Sequence, residues 1–432
     1  MADSSRSHAG LRRGGRLPVF VAAAALALVV AVGAHRAAIL GERPGGGPSR
    51  LLVDFAEQVY YPERSFLEGS NPYRGYPVPN SLAGYAPHTL LLHLPFGLLD
   101  YGAAALAYQL FTLCMTVALA YAAVRFGGGG GSAATLGLAA ALLASRPGHL
   151  NFINGTVTVQ VVLGAYVALH YASTRPVVAA AGLALSLIKP TIGVPLALLM
   201  LAGRGNVRPV ILGGTVAAVL SAAVVGLILP AAGGLRLLME SVLRGVEAFS
   251  AAPETSPLSA WMRVDAIALV AKGLGRALPA PAEVAISLAL LACGVLTIRR
   301  FVARGGSPDS PVVTMVICLT ILVWTYQQAY SVLILALPAV ALVVDSEAMS
   351  AVSPPGLRGI YLALLAFPFF NYLSTYTVLN RLGAAGWRWT VLTSLSSLTL
   401  FTAWVITLNG ARRFTAVGRA RPDALQRARG TA

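Results

Sequence analysis

Apolar stretches of roughly bilayer length recur from end to end of the chain, near residues 17–38, 85–98, 102–125, 132–146, 155–173, 177–202, 208–230, 281–301, 311–325, 329–345, 357–375 and 389–410. A helix needs about 20 apolar residues, with a usable range of about 17–25, to cross the hydrocarbon core. The runs at 85–98, 132–146 and 311–325 are short for that and could turn back within the membrane. Open strands cannot satisfy their backbone in lipid, so the pattern predicts helices throughout. The expected fold class is all-α: a polytopic membrane protein of about 12 transmembrane helices, or about 10–12 allowing for the short runs. One transmembrane domain over 17–410 would sit between a cytoplasmic segment, 1–16, and a basic cytoplasmic tail, 411–432.

Composition agrees with that pattern. The chain is 56% hydrophobic and only 11% charged, too little charge to keep a globular surface wet. The net charge of +16 does not point to nucleic acid, because the basic residues sit at the termini and in short loops between apolar runs. Cys114, Cys293 and Cys318 lie inside apolar runs and show neither metal spacing nor a disulfide framework. The arginines before residue 17 resemble a signal peptide, even a twin-arginine signal, but the stretch reads as an uncleaved first span. With both termini inside, Arg204, Arg208, Arg299, Arg300 and Arg304 fall on the cytoplasmic face. Arg125 and Arg175 then fall on the unfavoured outer side, and the Asn154-Gly155-Thr156 sequon falls inside.

Two connections are long and come out external, about 41–84 and 231–280. Long loops are where membrane proteins usually place their chemistry. The stretch LLVDFAEQVYYPERSF (51–66) has Leu51, Phe55 and Val59 on one helical face and Asp54, Glu57 and Gln58 on another, with Pro62 ending the helix. It reads as an amphipathic helix on the outer membrane surface, apolar face down, holding Asp54 where water meets lipid. The loop that follows is turn-rich, and Tyr60, Tyr61, Tyr73, Tyr76 and Tyr85 gather around it. Those rings fit an interfacial belt or a platform for stacking sugars.

An acidic residue in a first outer loop, an NPY turn, a Tyr-x-Pro start to a span ending in PFGLL, and the SLIKPTIGVPLALLML span (186–201) together resemble the GT-C membrane glycosyltransferases. The closest resemblance is to glycosyltransferase family 87, which includes polyprenol-phosphate-mannose-dependent α-1,2-mannosyltransferases. The resemblance implies a GT-C fold. The reaction it implies is metal-independent and inverting: a sugar, mannose above all, passes from a polyprenyl-phosphate donor to a glycolipid or glycan acceptor. The partners implied are that donor, that acceptor and membrane lipids. No cofactor is expected, and the chain has no DxD motif to hold a metal on a nucleotide sugar.

Residue by residue, Asp54 matches the carboxylate that activates the acceptor hydroxyl, with Glu57 as the alternative. A hydroxyl is a poor nucleophile without a base beside it, and a carboxylate near a low-dielectric surface is a stronger base than one in bulk water. Lys189 is a candidate for the leaving phosphate, although its place near mid-span sits poorly with external chemistry. Arg263, in PETSPLSAWMRVD (253–265), matches the family's loop arginine, and Tyr73 of the NPY turn is a further substrate-binding candidate. Related enzymes carry a histidine near the turn where this chain has Tyr326, Gln327, Gln328 and Tyr330. Those residues, or His88 and His93 nearer the first loop, would have to replace it. A transporter or flippase, or a non-catalytic scaffold derived from such an enzyme, are the alternatives; only Lys189 resembles the midplane charge of a transporter.

Overall fold

The computed structural model describes residues 16–41, 52–74, 82–203 and 207–414. The basic N-terminal segment, most of the tail, Tyr76 and Arg204 lie outside the described residues. Helix α1 covers Arg16–Gly41, and the first loop then carries a helical run of three pieces: α2 (Val53–Phe55), a π-helical turn (Ala56–Tyr60) and α3 (Tyr61–Leu67). Next come α4 (Thr89–Gly97), α5 (Tyr101–Phe126), α6 (Ser132–Ala144), α7 (Arg146–Asn154), α8 (Thr158–Tyr171), α9 (Pro176–Ser186), α10 (Pro190–Ala202) and α11 (Val207–Ala232). The second loop holds α12 (Leu235–Ala251) and α13 (Ala266–Leu274). The chain finishes with α14 (Ala280–Ala303), α15 (Pro311–Trp324), a 3-10 segment (Ala329–Leu335), α16 (Ala336–Val344), α17 (Ser346–Val352), α18 (Arg358–Phe370), α19 (Tyr376–Arg381) and α20 (Trp387–Arg413). Among the described residues the extended pairing is a single bridge, Arg263 with Gln328, so the all-α expectation holds.

Five stretches are long and apolar enough to cross a bilayer: Tyr101–Phe126, Val207–Ala232, Ala280–Ala303, Pro355–Ser374 and Trp387–Arg413. A sixth candidate, Ala329–Val344 with Ser346–Val352, is bent by 111°. Several other apolar helices have only 11 to 14 residues. At about 1.5 Å per residue these reach roughly two-thirds of a hydrocarbon core or less. Two of them, α8 and α10, start at Thr158 and directly after Lys189, and Lys189 is an electrostatic neighbour of Asp54.

Contacts sort the helix ends into two groups. At one end, the Leu52 N–H bonds Ile153 O, the Ala86 N–H bonds Ile188 O, and Tyr60 OH donates to Leu99 O. Arg146 donates there to Asn371 O and Trp261 O. At the other end Ser173 donates to Asp309, Phe126 stacks on His170 with centroids 3.9 Å apart, and Arg304 donates to Arg412 O.

This arrangement corrects four readings of the sequence. Residues 86 and 99 lie at the same end, so the 85–98 run does not cross. Residues 177–202 are not one span: α9 rises from the Ser173 end, the chain turns at 187–189, and α10 runs back. The turn is tight, since a Cβ on Gly193 would lie 2.5 Å from Leu187 Cα. Lys189 therefore sits at a helix break and not mid-span. These two miscounts offset each other in the total, but they inverted the sidedness of everything between them. Arg125, an electrostatic neighbour of His170, shares the end of Asp309 and Arg304, while Asn154 lies beside Asp54. The fourth correction concerns the first-loop helix. Phe55, Val59 and Tyr60 are buried against protein, among Phe96, Tyr101 and Tyr108, so its apolar face does not lie on lipid.

Candidate active site

Asp54 is positioned by a strained start to its helix. Leu52 has φ 55°, the one positive φ outside glycine among the described residues, and its side chain is buried. Such a backbone costs about 1–2 kcal/mol for a branched residue. It is held by the 2.9 Å bond from its N–H to Ile153 O and by close packing on the end of α7. Gly155 makes that packing possible. It closes α7 at φ +71°, and a Cβ there would lie 2.6 Å from Phe55 Cβ. Pro62 does not end the helix as expected. The wider π-helical turn at 56–60 lets the chain pass a residue that has no N–H to give, and helix continues to Leu67.

Gln58 Nε2 donates to Asp54 Oδ1 at 3.1 Å, and Gln58 Oε1 accepts from Tyr85 OH at 2.8 Å. Asn154 donates a second side-chain bond to Asp54. Burial pushes the Asp54 carboxyl up to about 6, while the Lys189 charge and the Asn154 bond pull it back. Glu57, half-buried one turn on, is pushed to about 7 by burial and by the like charges of Asp54 and Glu254.

Opposite this acidic wall stands Lys189. It is buried at the N-terminus of α10, its Nζ 3.4 Å from Thr158 Oγ1 and 3.5 Å from Ser331 Oγ, and 4.4 Å from the Tyr330 ring centroid. Among the described residues its hydrogen-bond partners are hydroxyls, with no carboxylate. Thr158 is the first residue of α8, so two helix N-termini share the spot with the ammonium. Positive dipole ends and a cation with no hydrogen-bonded carboxylate among the described residues make a place prepared for negative charge. Two residues on from Lys189, Thr191 Oγ1 is buried without a partner among the described residues, as are Oε1 of Gln327, whose amide bonds Thr191 O, and Nε1 of Trp324, three residues before Gln327. Tyr85, Tyr326 and Tyr330 are all electrostatic neighbours of Asp54.

The other sequence candidates divide. Arg263 is buried, with a two-point ion pair to Asp265 at 2.8 Å and a bond to Thr255 O at 2.9 Å. Its guanidinium carbon lies 5.1 Å from the Tyr326 ring centroid. The Val264 N–H bonds Gln327 O, and the Ala329 N–H bonds Met262 O, so Arg263 braces the 326–329 turn. Gln327 is fully buried and donates to Thr191 O, and Gln328 donates to Tyr326 OH. His88 faces away, its ring nitrogens held by Ser221 Oγ at 2.9 Å and Ala184 O at 3.0 Å. Tyr73 packs in a separate small core with Leu82, Leu90, Val224, Ile228 and Leu238. Sequence reasoning missed Asn154, Thr158 and Ser331. The signal for Asn154 was its following glycine, which marks a helix stop needing close approach.

A family model described as glycosyltransferase family 87 matches residues 84–325, more than half of the chain. The chain belongs to glycosyltransferase family 87. It is accordingly a membrane glycosyltransferase, and the transporter alternative gives way. The family 87 match contains Lys189 and Arg263. It starts after Asp54 and Glu57 and stops one residue short of Tyr326. No curated protein matches this glycosyltransferase.

Proposed function

We propose that this family 87 glycosyltransferase transfers a sugar from a polyprenyl-phosphate donor to a glycolipid or glycan acceptor on the extracytoplasmic face, with inversion, and with Asp54 as general base. The observation that carries the reading is the opposition of a raised-pKa carboxylate and a buried ammonium across one polar site. In the reaction, the acceptor hydroxyl gives its proton to Asp54 as its oxygen attacks the anomeric carbon. The bond from that carbon to the phosphate oxygen breaks, and polyprenyl phosphate leaves with the electron pair. The charge gained on the phosphate is met by Lys189 and the starts of α8 and α10.

Asn154 and Gln58 hold the carboxylate, and the free valences of Thr191, Gln327 and Trp324 suit sugar hydroxyls. In this reading, Tyr326, Gln327 and Gln328 provide the neutral donors that replace the family histidine. Mannose as the sugar, and the polyprenyl tail, rest on the family resemblance. The experiment is transfer from labelled polyprenyl-phosphate mannose in membranes containing the Asp54→Asn protein. A loss of about a thousandfold is expected. Transfer at near wild-type rate would remove Asp54 from the mechanism.

A further inference from the structure

The second loop holds an amphipathic helix that the reaction does not use. In α12, Leu235, Met239, Leu243 and Val246 form one stripe at i, i+4, i+8 and i+11, and they are 60%, 50%, 55% and 41% exposed. Arg236, Glu240, Arg244 and Glu247 form the adjoining face, about 100° round the helix, with Arg236 paired to Glu240 at 2.9 Å. The helix is pinned to the protein along one flank, by Leu238 in the small core and by the bond from Asn71 to Ser241. Among the described residues nothing covers the apolar stripe.

The chain leading into α12 says what does. Helix α11 is one of the long apolar helices, and its bare side chains, Val219 at 61% and Leu227 at 66% exposed, face where lipid must be. Only Gly233 and Gly234, at φ +76° and +109°, separate α11 from α12. That corner leaves α12 at the bilayer boundary from its first residue. An exposed helix with one apolar and one charged face belongs in that plane.

We infer that α12 is seated on the lipid surface of the leaflet at the Asp54 end through Leu235, Met239, Leu243 and Val246. The helix ends at the site: Phe249 packs edge-on against Tyr326, with ring centroids 5.4 Å apart. The rim of the site is thereby held at headgroup depth. This inference does not depend on the identity of the donor or on the role of Asp54.

The test places p-benzoylphenylalanine at Met239 or Leu243, and separately at Glu240 or Arg244, in the full chain. The protein is held at one copy per nanodisc of phosphatidylethanolamine and phosphatidylglycerol. After illumination, mass spectrometry should find lipid adducts at least fivefold more abundant from the first pair. Equal adducts from both faces would overturn the inference. So would adducts from Met239 and Leu243 directed mainly to the chain itself, or, in detergent, to a second copy.

Discussion

Asp54 titrates near 6 because burial outweighs two influences that favour its charge, Lys189 and Asn154. In its proposed role as general base Asp54 must be ionised, so transfer should be half-maximal near pH 6, level off above about pH 7 and approach a tenfold fall per unit below about pH 5. Asn154→Ala removes a bond that favours the carboxylate and should move that acid limb upward, by about one pH unit. An unmoved limb in the rate profile would deny Asn154 its role. Lys189→Met should cut transfer about a hundredfold and leave Asp54's acid limb at equal or higher pH. Glu63 is a different kind of carboxyl, buried with both oxygens unpartnered among the described residues and pushed up to about 9 by burial. Its folded pKa lies above the unfolded one, so it opposes folding increasingly as pH rises from about 4.5 towards 9. Glu63→Gln should therefore melt higher than wild type by thermal unfolding at pH 7–8, with the difference closing near pH 4. Residue type alone exposed Asp54 and Lys189, since charges beside or within apolar runs stand out. Asn154, Thr158 and Ser331 are ordinary polar residues that only the fold brings to the proposed site, at the end of α7, the start of α8 and within the 3-10 segment.

At the scale of elements, the first-loop helix shows why periodicity was a partial guide. The stripe of Phe55 and Val59 correctly predicts which face is apolar, but a stripe does not say whether lipid or protein covers it. Pro62 was a sound stop signal that the π-helical turn bypasses. Gly155→Ala tests the docking of this helix. The added methyl must displace Phe55 and also tolerate a left-handed backbone, so it should destabilise by about 2 kcal/mol. Transfer should fall at least tenfold, because Asp54 is one residue from Phe55. Normal transfer together with a normal melting temperature would show that the close packing does not set the carboxylate. Hydropathy also cannot distinguish one bent crossing from two short helices that meet. The Lys189-Pro190 pair marks the break, but the reversal there depends on Gly193 lying against Leu187.

For the whole molecule, the consequence is a change of side. Counting 85–98 and 177–202 as one crossing each puts Arg125 and Glu254 on the same face, whereas the folded chain puts them at opposite ends. The corrected arrangement also gathers Arg125 and Arg175 with Arg304 and Arg412, as the positive-inside bias favours. Cysteines introduced at Arg125 and at Glu254 should respond differently to an impermeant maleimide in intact cells, measured against the background of native Cys114, Cys293 and Cys318. The Glu254 variant should label at once and the Arg125 variant only after permeabilisation. Equal labelling would restore the simple count.

The bridge between Arg263 and Gln328 joins two stretches more than sixty residues apart, and the carboxylate of Asp265 serves both, pairing with Arg263 and accepting the Gln327 N–H at 3.2 Å. Asp265 also caps α13. Residues 262–266 and 326–329 are thus riveted into one plate, and neither can swing away from the other without breaking two backbone hydrogen bonds and the bond from the Gln327 N–H to the buried Asp265 carboxylate. Any opening that admits a bulky substrate must therefore move the two stretches together, as one body.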